Sequence, residues 1–443
     1  MYTANSEAKP WRESSFKALI PFVVFVIFYF GFSVLTRDFS KIPMTVAFII
    51  SSATALILNH KEKLAKKIEI FALGMGNKDI MIMCLVFILA GAFTASAQAV
   101  GGVDAAVKIA EYFIPAKFMV SGIFVVSALI SLAIGTSCGT IAAIVPIAVA
   151  LSQNLGFNPA VVIGAAVGGA MFGDNLSLIS DTTIASTRTQ NVEMRDKMIA
   201  NLKIVILPAL TCIFLYMLPV FSAVSIKAPV VLAPQISSYI KVLPYILLLI
   251  AGIFGVNVMF LLLAGIILNT IIGLHYNLFS IWEAFSYIGD GTTSMANTLI
   301  VALLAGGLLC MVRYNGGINY IIKKTQCFIK GTKTCEFGIV FLVGVINLFT
   351  ANNTVAIITA GPIARELSQK YLVDPRRTAS LLDTTSCCVQ GVIPYGAQIL
   401  IATSLAASIS ISSFSIMKGL YYPVLMGMGL LFSLVLGVNK KQK

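Results

Sequence analysis

The sequence predicts an all-α polytopic membrane protein built from two related halves. Three observations support this fold class: the composition, a series of long apolar segments and an internal repeat. Of the 443 residues, 58% are apolar and only 11% are charged, and the mean hydropathy is +0.93. A soluble globular domain has about twice that charged fraction. The chain is therefore predicted to fold in a lipid bilayer.

Long apolar segments provide the predicted membrane helices. A helix rises ~1.5 Å per residue, so about 20 apolar residues cross a ~30 Å hydrocarbon core. The first segment is too long for a cleavable signal peptide, and we expect it to remain as a membrane helix. The segments that meet this length are 18–36, 42–59, 80–99, 204–222, 243–274, which is long enough for two helices, and 415–437.

Lysine and arginine occur in clusters that predict the orientation of the chain. If every cluster faces the cytoplasm, as the positive-inside rule requires, both termini lie in the cytoplasm. Segment 277–292 has two acids and no lysine or arginine, and it then lies outside. The net charge of +13 thus indicates orientation rather than nucleic-acid binding, and a lipid-binding patch at 60–67 is an alternative. The clusters lie within 9–17, 61–78, 188–203, 313–333, 365–377 and 440–443.

The chain contains an internal repeat. The segments PIAVALSQNLGFNP (146–159) and PIARELSQKYLVDP (362–375) match at seven of fourteen positions with an offset of 216 residues. The same offset aligns the apolar segments. Each unit is predicted to cross the membrane about five times, with one re-entrant hairpin and one broken helix. An odd number of crossings makes the second unit inverted, and inverted repeats are typical of secondary transporters.

The repeat also predicts the domain organisation. The termini are short cytoplasmic tails, and an extracytoplasmic linker joins the two halves. The predicted ranges are 1–17 for the N-terminal tail, 18–222 for the first transmembrane repeat, 223–240 for the linker, 241–437 for the second, inverted repeat and 438–443 for the C-terminal tail.

Each predicted hairpin has a polar tip. The first tip is GTSCGT (135–140) and the second is TANNT (350–354). Lipid supplies no hydrogen-bond partners to backbone released from a helix, so small polar residues are expected there. Full crossing by both hairpin arms is an alternative that changes the helix count by an even number and preserves the orientation. The tip residues predicted to contribute oxygens are Thr136, Ser137, Asn352, Asn353 and Thr354.

A broken helix follows each hairpin. In the first half, VVIGAAVGGAM (161–171) leads into FGDNLSLISDTT (172–183), and in the second half 378–390 leads into GVIPYGAQ (391–398). Glycine and proline allow the chain to unwind inside the bilayer, where freed carbonyl groups and side-chain oxygens can form a hard-cation site. We expect the two breaks and the two hairpin tips to meet near the centre of the membrane.

Three aspartates, Asp174, Asp181 and Asp383, lie within apolar spans. A carboxylate at that depth costs at least ~2.5 kcal/mol, which indicates a role. A buried ion pair or a helix cap is the alternative, nearly as well supported for Asp383, but no lysine or arginine occurs within these spans. That absence favours a mobile cation as the partner of the acids.

Burial favours the protonated carboxylic acid, whereas a bound cation favours the carboxylate, so one site can hold a proton or a cation in competition. A site of this kind that opens to one side at a time describes an antiporter. Asp174 would bear the exchange, and Asp181 would share or tune it. Hydroxyl groups here can instead bond to their own backbone. In the first broken helix, the predicted neutral oxygens belong to Asn175, Ser177, Ser180, Thr182 and Thr183. The second broken helix is predicted to contribute Asp383, Thr384, Thr385, Gln390, Tyr395 and Gln398.

The segments GTSCGTIAAIVPIAV, FGDNLSLISDTT and LLDTTSCCVQGVIPYGAQ resemble the NhaC-type Na+/H+ antiporter family of the ion-transporter superfamily, over nearly the whole chain. The resemblance implies sodium–proton exchange across a bacterial inner membrane, with the family's acids at Asp174 and Asp181. No cofactor is expected; the cargo is Na+, with Li+ as an alternative, and H+. Leu178 stands where the family pattern leads us to expect proline, which leaves the cation preference less defined.

The alternative is coupled transport of a small organic acid or amino acid, because related families carry such solutes. An amide and hydroxyl cradle of Asn352, Asn353, Gln390, Tyr395 and Gln398 would suit an organic anion. A channel is disfavoured by the two inverted halves, and an enzyme by the lack of a catalytic constellation. Apart from lipid, a second copy of the chain is an alternative partner through small-residue faces at 80–99 and 294–312.

Overall fold

The structure, a computed structural model, describes residues 14–32, 35, 43–59, 62–178, 180–218, 233, 235–253 and 256–436. Helices make up most of these residues, and no β-strand occurs among them. The all-α class is confirmed. Residues 1–13 of the predicted N-terminal tail, 223–232 of the predicted linker and the whole predicted C-terminal tail lie outside the described residues.

The described residues of the first half form ten helices. α1 passes from a 3₁₀ turn through α-helix into a π-helical turn, whereas the others are regular. Their bounds are α1 Phe16–Gly31, α2 Met44–Ile57, α3 Leu64–Met75, α4 Lys78–Val100, α5 Gly102–Phe113, α6 Ala116–Ile134, α7 Ser137–Leu155, α8 Pro159–Leu176, α9 Asp181–Gln190 and α10 Met194–Met217.

The second half contains a matching series. Its bounds are α11 Ile236–Ile253, α12 Val258–His275, α13 Ile281–Ser294, α14 Ala296–Tyr314, α15 Gly317–Phe328, α16 Thr332–Thr350, α17 Asn353–Lys370, α18 Pro375–Gly391, α19 Ala397–Leu405, α20 Ser413–Gly419 and α21 Tyr421–Leu436. Segment 243–274 belongs to two helices, α11 and α12, as predicted. α11 begins at Ile236, inside the range predicted for the linker.

The helix bounds recur with the 216-residue offset of the sequence repeat. Helix α6 (116–134) corresponds to α16 (332–350), and α8 (159–176) corresponds to α18 (375–391), within one residue at each end. α10 is the exception, because its counterpart is divided into α20 and α21 with a bend of 59° between them. The opposite orientation of the two halves remains a prediction.

Eight helices among the described residues are long and apolar enough to cross a membrane, or nine if α20 and α21 form one span. Segment 277–292, expected only to lie outside, forms most of α13, which continues into α14 as one 34-residue apolar unit. Three further helices, α3, α5 and α15, lie outside the predicted spans. Their charged residues interrupt the apolar pattern, which is why the sequence did not indicate them as membrane helices.

Close glycine contacts join the two halves. A Cβ at Gly74 of α3 would lie 2.5 Å from the carbonyl oxygen of Gly306 in α14, and one at Gly91 of α4 would overlap the carbonyl oxygen of Gly291 in α13. Small residues let helix backbones approach this closely. The small-residue faces predicted to contact a second copy are therefore used, at these glycines, for packing within the chain.

The polar tips and the helix breaks occur where the sequence predicts them, whereas the re-entrant character of the hairpins stays a prediction, because α6, α7 and α16 are each long and apolar enough to cross a membrane. Gly135 (φ 76°) and Ala351 (φ 48°) are in the left-handed conformation and end the first arms, α6 and α16. Thr136 and Asn352, both extended, begin the second arms. The arm α7 spans 19 residues, starting four residues earlier than the apolar segment 141–154 suggests. The first helix breaks between α8 and α9, and the second between α18 and α19.

Candidate functional site

A cavity of about 480 Å³ lies where both hairpin tips and both broken helices meet. The predicted convergence of these four elements is therefore present in the fold. From the predicted site, the cavity is lined by Thr136, Ser137, Asp174, Ser180, Asp181, Thr182, Asn352, Asn353, Thr354, Gln390 and Gln398.

Asp174 is the buried carboxylate of this cavity. It lies in the last turn of α8, and its side chain is 7% exposed. The hydroxyl of Ser137, on the first hairpin tip, donates to its Oδ2 at 2.8 Å, and that of Ser180, across the helix break, donates to Oδ1 at 2.5 Å. Neutral donors thus satisfy Asp174, and no ion pair to it occurs among the described residues.

Amide side chains of the second half line the same cavity. Gln398 donates through Nε2 to the Ser137 hydroxyl at 3.1 Å, and Gln390 donates to the carbonyl oxygen of Ala351 at 2.6 Å. The oxygens Oε1 of both glutamines and Oδ1 of Asn353 are buried and have no hydrogen-bond partner. Buried polar atoms normally have partners, so three unpaired oxygens at one cavity indicate a binding site.

The repeat offset relates many of these residues in pairs. Asp174 corresponds to Gln390, Ser137 to Asn353, and Thr182 to Gln398. Both members of each pair line the cavity. The first half therefore contributes a carboxylate where the second half contributes a neutral amide, and the site has one buried charge instead of two.

The exposed part of the cavity lining marks its mouth. Lys78 and Asp79 at the start of α4 and Arg188 near the end of α9 line its mouth. Asp181, the first residue of α9, also lines it, but its side chain is exposed. Asp174 is thus the buried carboxylate of the two, and the predicted contribution of Asp181 to ion exchange stays a prediction.

Comparison with known proteins gives the family. The family model described as the Na+/H+ antiporter family matches residues 11–218 and 188–437, which together cover most of the chain. The chain belongs to the Na+/H+ antiporter family. Together with the apolar helices, this membership makes it a multi-pass membrane protein and a secondary transporter.

Individual relatives of this Na+/H+ antiporter family member are distant. A malate-2H+/Na+-lactate antiporter of Bacillus subtilis is 26% identical over 179 residues, which are 40% of this chain and only 37% of that protein. An uncharacterised Na+/H+ antiporter of Haemophilus influenzae is 22% identical over 364 residues, 73% of this chain and 75% of that one. The YdaH transporter of Alcanivorax borkumensis superposes with a TM-score of 0.45 at 16% identity, covering 80% of this chain and 84% of its own.

In this family member, Asp383 does not line the cavity. It is fully buried and forms an ion pair with Lys197 of α10, and it also accepts hydrogen bonds from Asn201 at 2.7 Å and Asn175 at 3.1 Å. The expectation that no basic residue pairs with these aspartates is therefore wrong for Asp383. Lys197 was grouped with the cytoplasmic cluster at 188–203, but helix packing buries it completely.

Besides Asp383, six further predicted residues lie behind the cavity wall and do not line it. The hydroxyl of Thr183 donates to the Ser177 carbonyl at 2.7 Å, and that of Thr384 donates to Asn201 at 3.3 Å. Tyr395 packs among aromatic rings and donates to the carbonyl of Leu348 at 2.7 Å. They are buried because each faces a neighbouring helix, a direction that sequence spacing alone does not fix. The six residues are Asn175, Ser177, Thr183, Thr384, Thr385 and Tyr395.

Sequence reasoning missed several residues around the site. Lys197 and Asn201 hold the region behind the break, and Lys78, Asp79 and Arg188 line the mouth. The four-residue spacing of Lys197 and Asn201 indicates one helix face. No pattern in the sequence indicates which helix that face contacts.

Proposed function

We propose that the protein exchanges Na+ for H+ across the membrane by alternating access, with Asp174 binding either ion. Na+ prefers hard oxygen ligands, and the carboxylate of Asp174 lies beside the hydroxyls of Ser137 and Ser180. The unpaired amide oxygens of Asn353 and Gln398, which line the same cavity, offer further ligands. Li+ would meet the same ligands.

One observation carries this proposal. Two carboxylates are buried among the described residues, and Asp383 already has Lys197 as its counter-ion. Asp174 has only neutral hydrogen-bond donors and borders a cavity large enough for water and ions. A buried carboxylate without a fixed counter-ion needs either a proton or a mobile cation to offset its charge. That requirement is the competition on which an antiporter depends.

The charge at the cavity's mouth supports the alternating-access part of the proposal. Its mouth carries Lys78 and Arg188, from two of the clusters that the positive-inside rule places in the cytoplasm. We infer that the structure represents the inward-open state of a bacterial inner-membrane protein with both termini in the cytoplasm. The exposed carboxylate of Asp181 at this mouth would attract cations into the cavity, which is a tuning role.

The test uses everted membrane vesicles that hold a preformed proton gradient. Addition of Na+ should release the gradient in vesicles with the wild-type protein, and Asp174→Asn should abolish the release. Asp104→Asn, on the exposed surface of α5, is the matched control and should behave as wild type. A melting temperature for each purified variant separates loss of exchange from loss of folding. Persistent Na+-driven release in the Asp174→Asn variant would refute the proposal.

A second candidate is coupled transport of a small organic acid. The observation that favours it is the size and chemistry of the cavity: about 480 Å³, with unpaired amide oxygens and with Lys78 and Arg188 at the mouth. That volume is within the range of small-molecule sites and exceeds what a single Na+ requires. The similarity to a malate-2H+/Na+-lactate antiporter points the same way.

Proteoliposomes distinguish the two candidates. Under the second, an imposed sodium gradient should drive uptake of labelled malate or lactate, and the acid should be required for sodium movement. Under the first, sodium should exchange for protons in vesicles that contain neither acid. Gln390→Ala provides a further readout, because losing an amide of the cradle should weaken uptake of the acid more than it weakens sodium–proton exchange.

A further inference from the structure

Lys197 is a buried lysine that the proposed exchange at Asp174 does not use. It lies in the first turn of α10, and its side chain is completely buried. Its Nζ pairs with the carboxylate of Asp383, donates to the carbonyl oxygen of Asn175 at 2.9 Å and donates to Oγ1 of Thr183 at 2.7 Å. The ammonium group is thus held by three oxygens of three different types.

The helix break explains why these oxygens are available. α8 ends at Leu176, so the carbonyl of Asn175 lacks the amide partner that a continuing helix would give it. Lys197 and the side chain of Asn201, at 3.0 Å, donate to it instead. Asp383 is contributed by α18, the broken helix of the second half. The ammonium therefore lies between the two broken helices, one from each half of the chain.

These ligands are those of a hard-cation site. A carboxylate, a carbonyl group and a hydroxyl group are the oxygen types that bind such cations in proteins. A similar arrangement, a carboxylate with two hydroxyl groups beside the same helix break, occurs at Asp174. The difference is that one position already contains a positive charge attached to the chain.

We propose that the Lys197 ammonium is the permanent occupant of a second cation site, and that it thereby limits the inorganic cations bound by the protein to one, at Asp174. This inference rests on the proposed function for the role of Asp174 alone. Removal of the ammonium leaves Asp383 as a buried carboxylate with neutral partners. The site behind the cavity then becomes a place for Na+ at a pH at which Na+ outcompetes the proton, because a buried carboxylate needs one of the two to offset its charge.

The experiment measures equilibrium binding of radioactive Na+ to purified protein in detergent, at a pH at which free carboxylates are ionised. The wild-type protein should bind one ion per chain. Lys197→Ser, which removes the charge and leaves room, should bind two, and the double variant Lys197→Ser with Asp383→Asn should return to one. Lys197→Arg is the matched control that keeps the charge and should bind one.

Each outcome bears on the inference. A folded Lys197→Ser protein that binds a single ion overturns it. If Lys197→Ser melts at low temperature, NaCl but not choline chloride at equal ionic strength should restore its melting temperature, and equal effects of the two salts overturn the inference. The variant Asp174→Asn with Lys197→Ser should retain one ion, at the second site. A wild-type protein that binds no Na+, beside a Lys197→Ser variant that binds one, would refute the proposed function while supporting this inference.

Discussion

Replacing Ser137 with alanine tests how the fold stabilises the ionised form of Asp174. The Ser137 hydroxyl donates to Oδ2 of the carboxylate at 2.8 Å, and the hydroxyl itself is 2% exposed. This hydrogen bond is stronger to the charged carboxylate than to the neutral acid, because an ionised acceptor attracts the donated proton more strongly. Its loss should therefore favour the protonated acid and weaken the binding of the competing cation.

The size of the effect follows from the geometry. A hydrogen bond to a charged group contributes about 1.5–3 kcal/mol. Since 1.4 kcal/mol corresponds to a factor of ten, the half-maximal Na+ concentration should rise by about 10- to 100-fold at constant pH. Ser180 still donates at 2.5 Å, and water from the cavity can replace part of the lost bond, so we expect the lower end of this range.

The assay is Na+-dependent release of a proton gradient in everted vesicles, measured over a range of Na+ concentrations. The matched control is Ser127→Ala on α6, the first arm of the same hairpin, because the Ser127 hydroxyl is fully buried and has no hydrogen-bond partner. The control should leave the half-maximal concentration unchanged. Equal half-maximal concentrations for the two variants would show that the Ser137 hydrogen bond does not stabilise the ion-binding form of Asp174.

Three further predictions concern packing and access. Gly173→Ala should lower the melting temperature and reduce the free energy of unfolding by about 1–3 kcal/mol, because its Cβ would overlap α6 and lie 2.7 Å from a backbone nitrogen. The control Gly122→Ala, whose Cβ would have no atom within 4 Å, should not destabilise the protein. Tyr395→Phe should cost about 1 kcal/mol of stability by removing its hydrogen bond to the carbonyl of Leu348. The half-maximal Na+ concentration should not change, and a change would show that Tyr395 takes part in ion binding. Cys138 lines the cavity, so in a variant with the other cysteines replaced it should react with a membrane-impermeant thiol reagent added on the cytoplasmic side, and more slowly when Na+ is present. Labelling only from the opposite side would contradict the inward-open assignment.

Local patterns predicted much of the fold from the sequence. The apolar segments, the hairpin tips at Gly135 and Ala351 and the two helix breaks occur at the predicted positions. Each depends on neighbouring residues: apolar length, small polar residues at a tip, or glycine and proline at a break. The helices α3, α5 and α15 were not indicated, because their mixed composition does not distinguish a membrane span from a surface helix.

Part of the site followed from the same reasoning. Asp174 and Ser137 lie 37 residues apart, and the repeat predicted that tip and break would meet. For Asp383 the prediction failed, because its partner Lys197 comes from another helix, 186 positions earlier in the chain. The charge pattern of α10 gives the same signal whether a lysine faces the cytoplasm or a buried carboxylate.

By itself, the sequence determined three properties of this chain: that it folds into apolar helices, where those helices end or break, and which polar residues accompany the breaks. Each of these properties is set by residues close together along the chain. Only the tertiary structure decided that Asp174 faces the cavity without a counter-ion while Asp383 is paired and closed off. Asp174 and Asn175 are adjacent in α8 but contact different neighbours, Ser137 and Ser180 for Asp174, Asp383 and Lys197 for Asn175, and the packing of distant helices determines which neighbours each one meets.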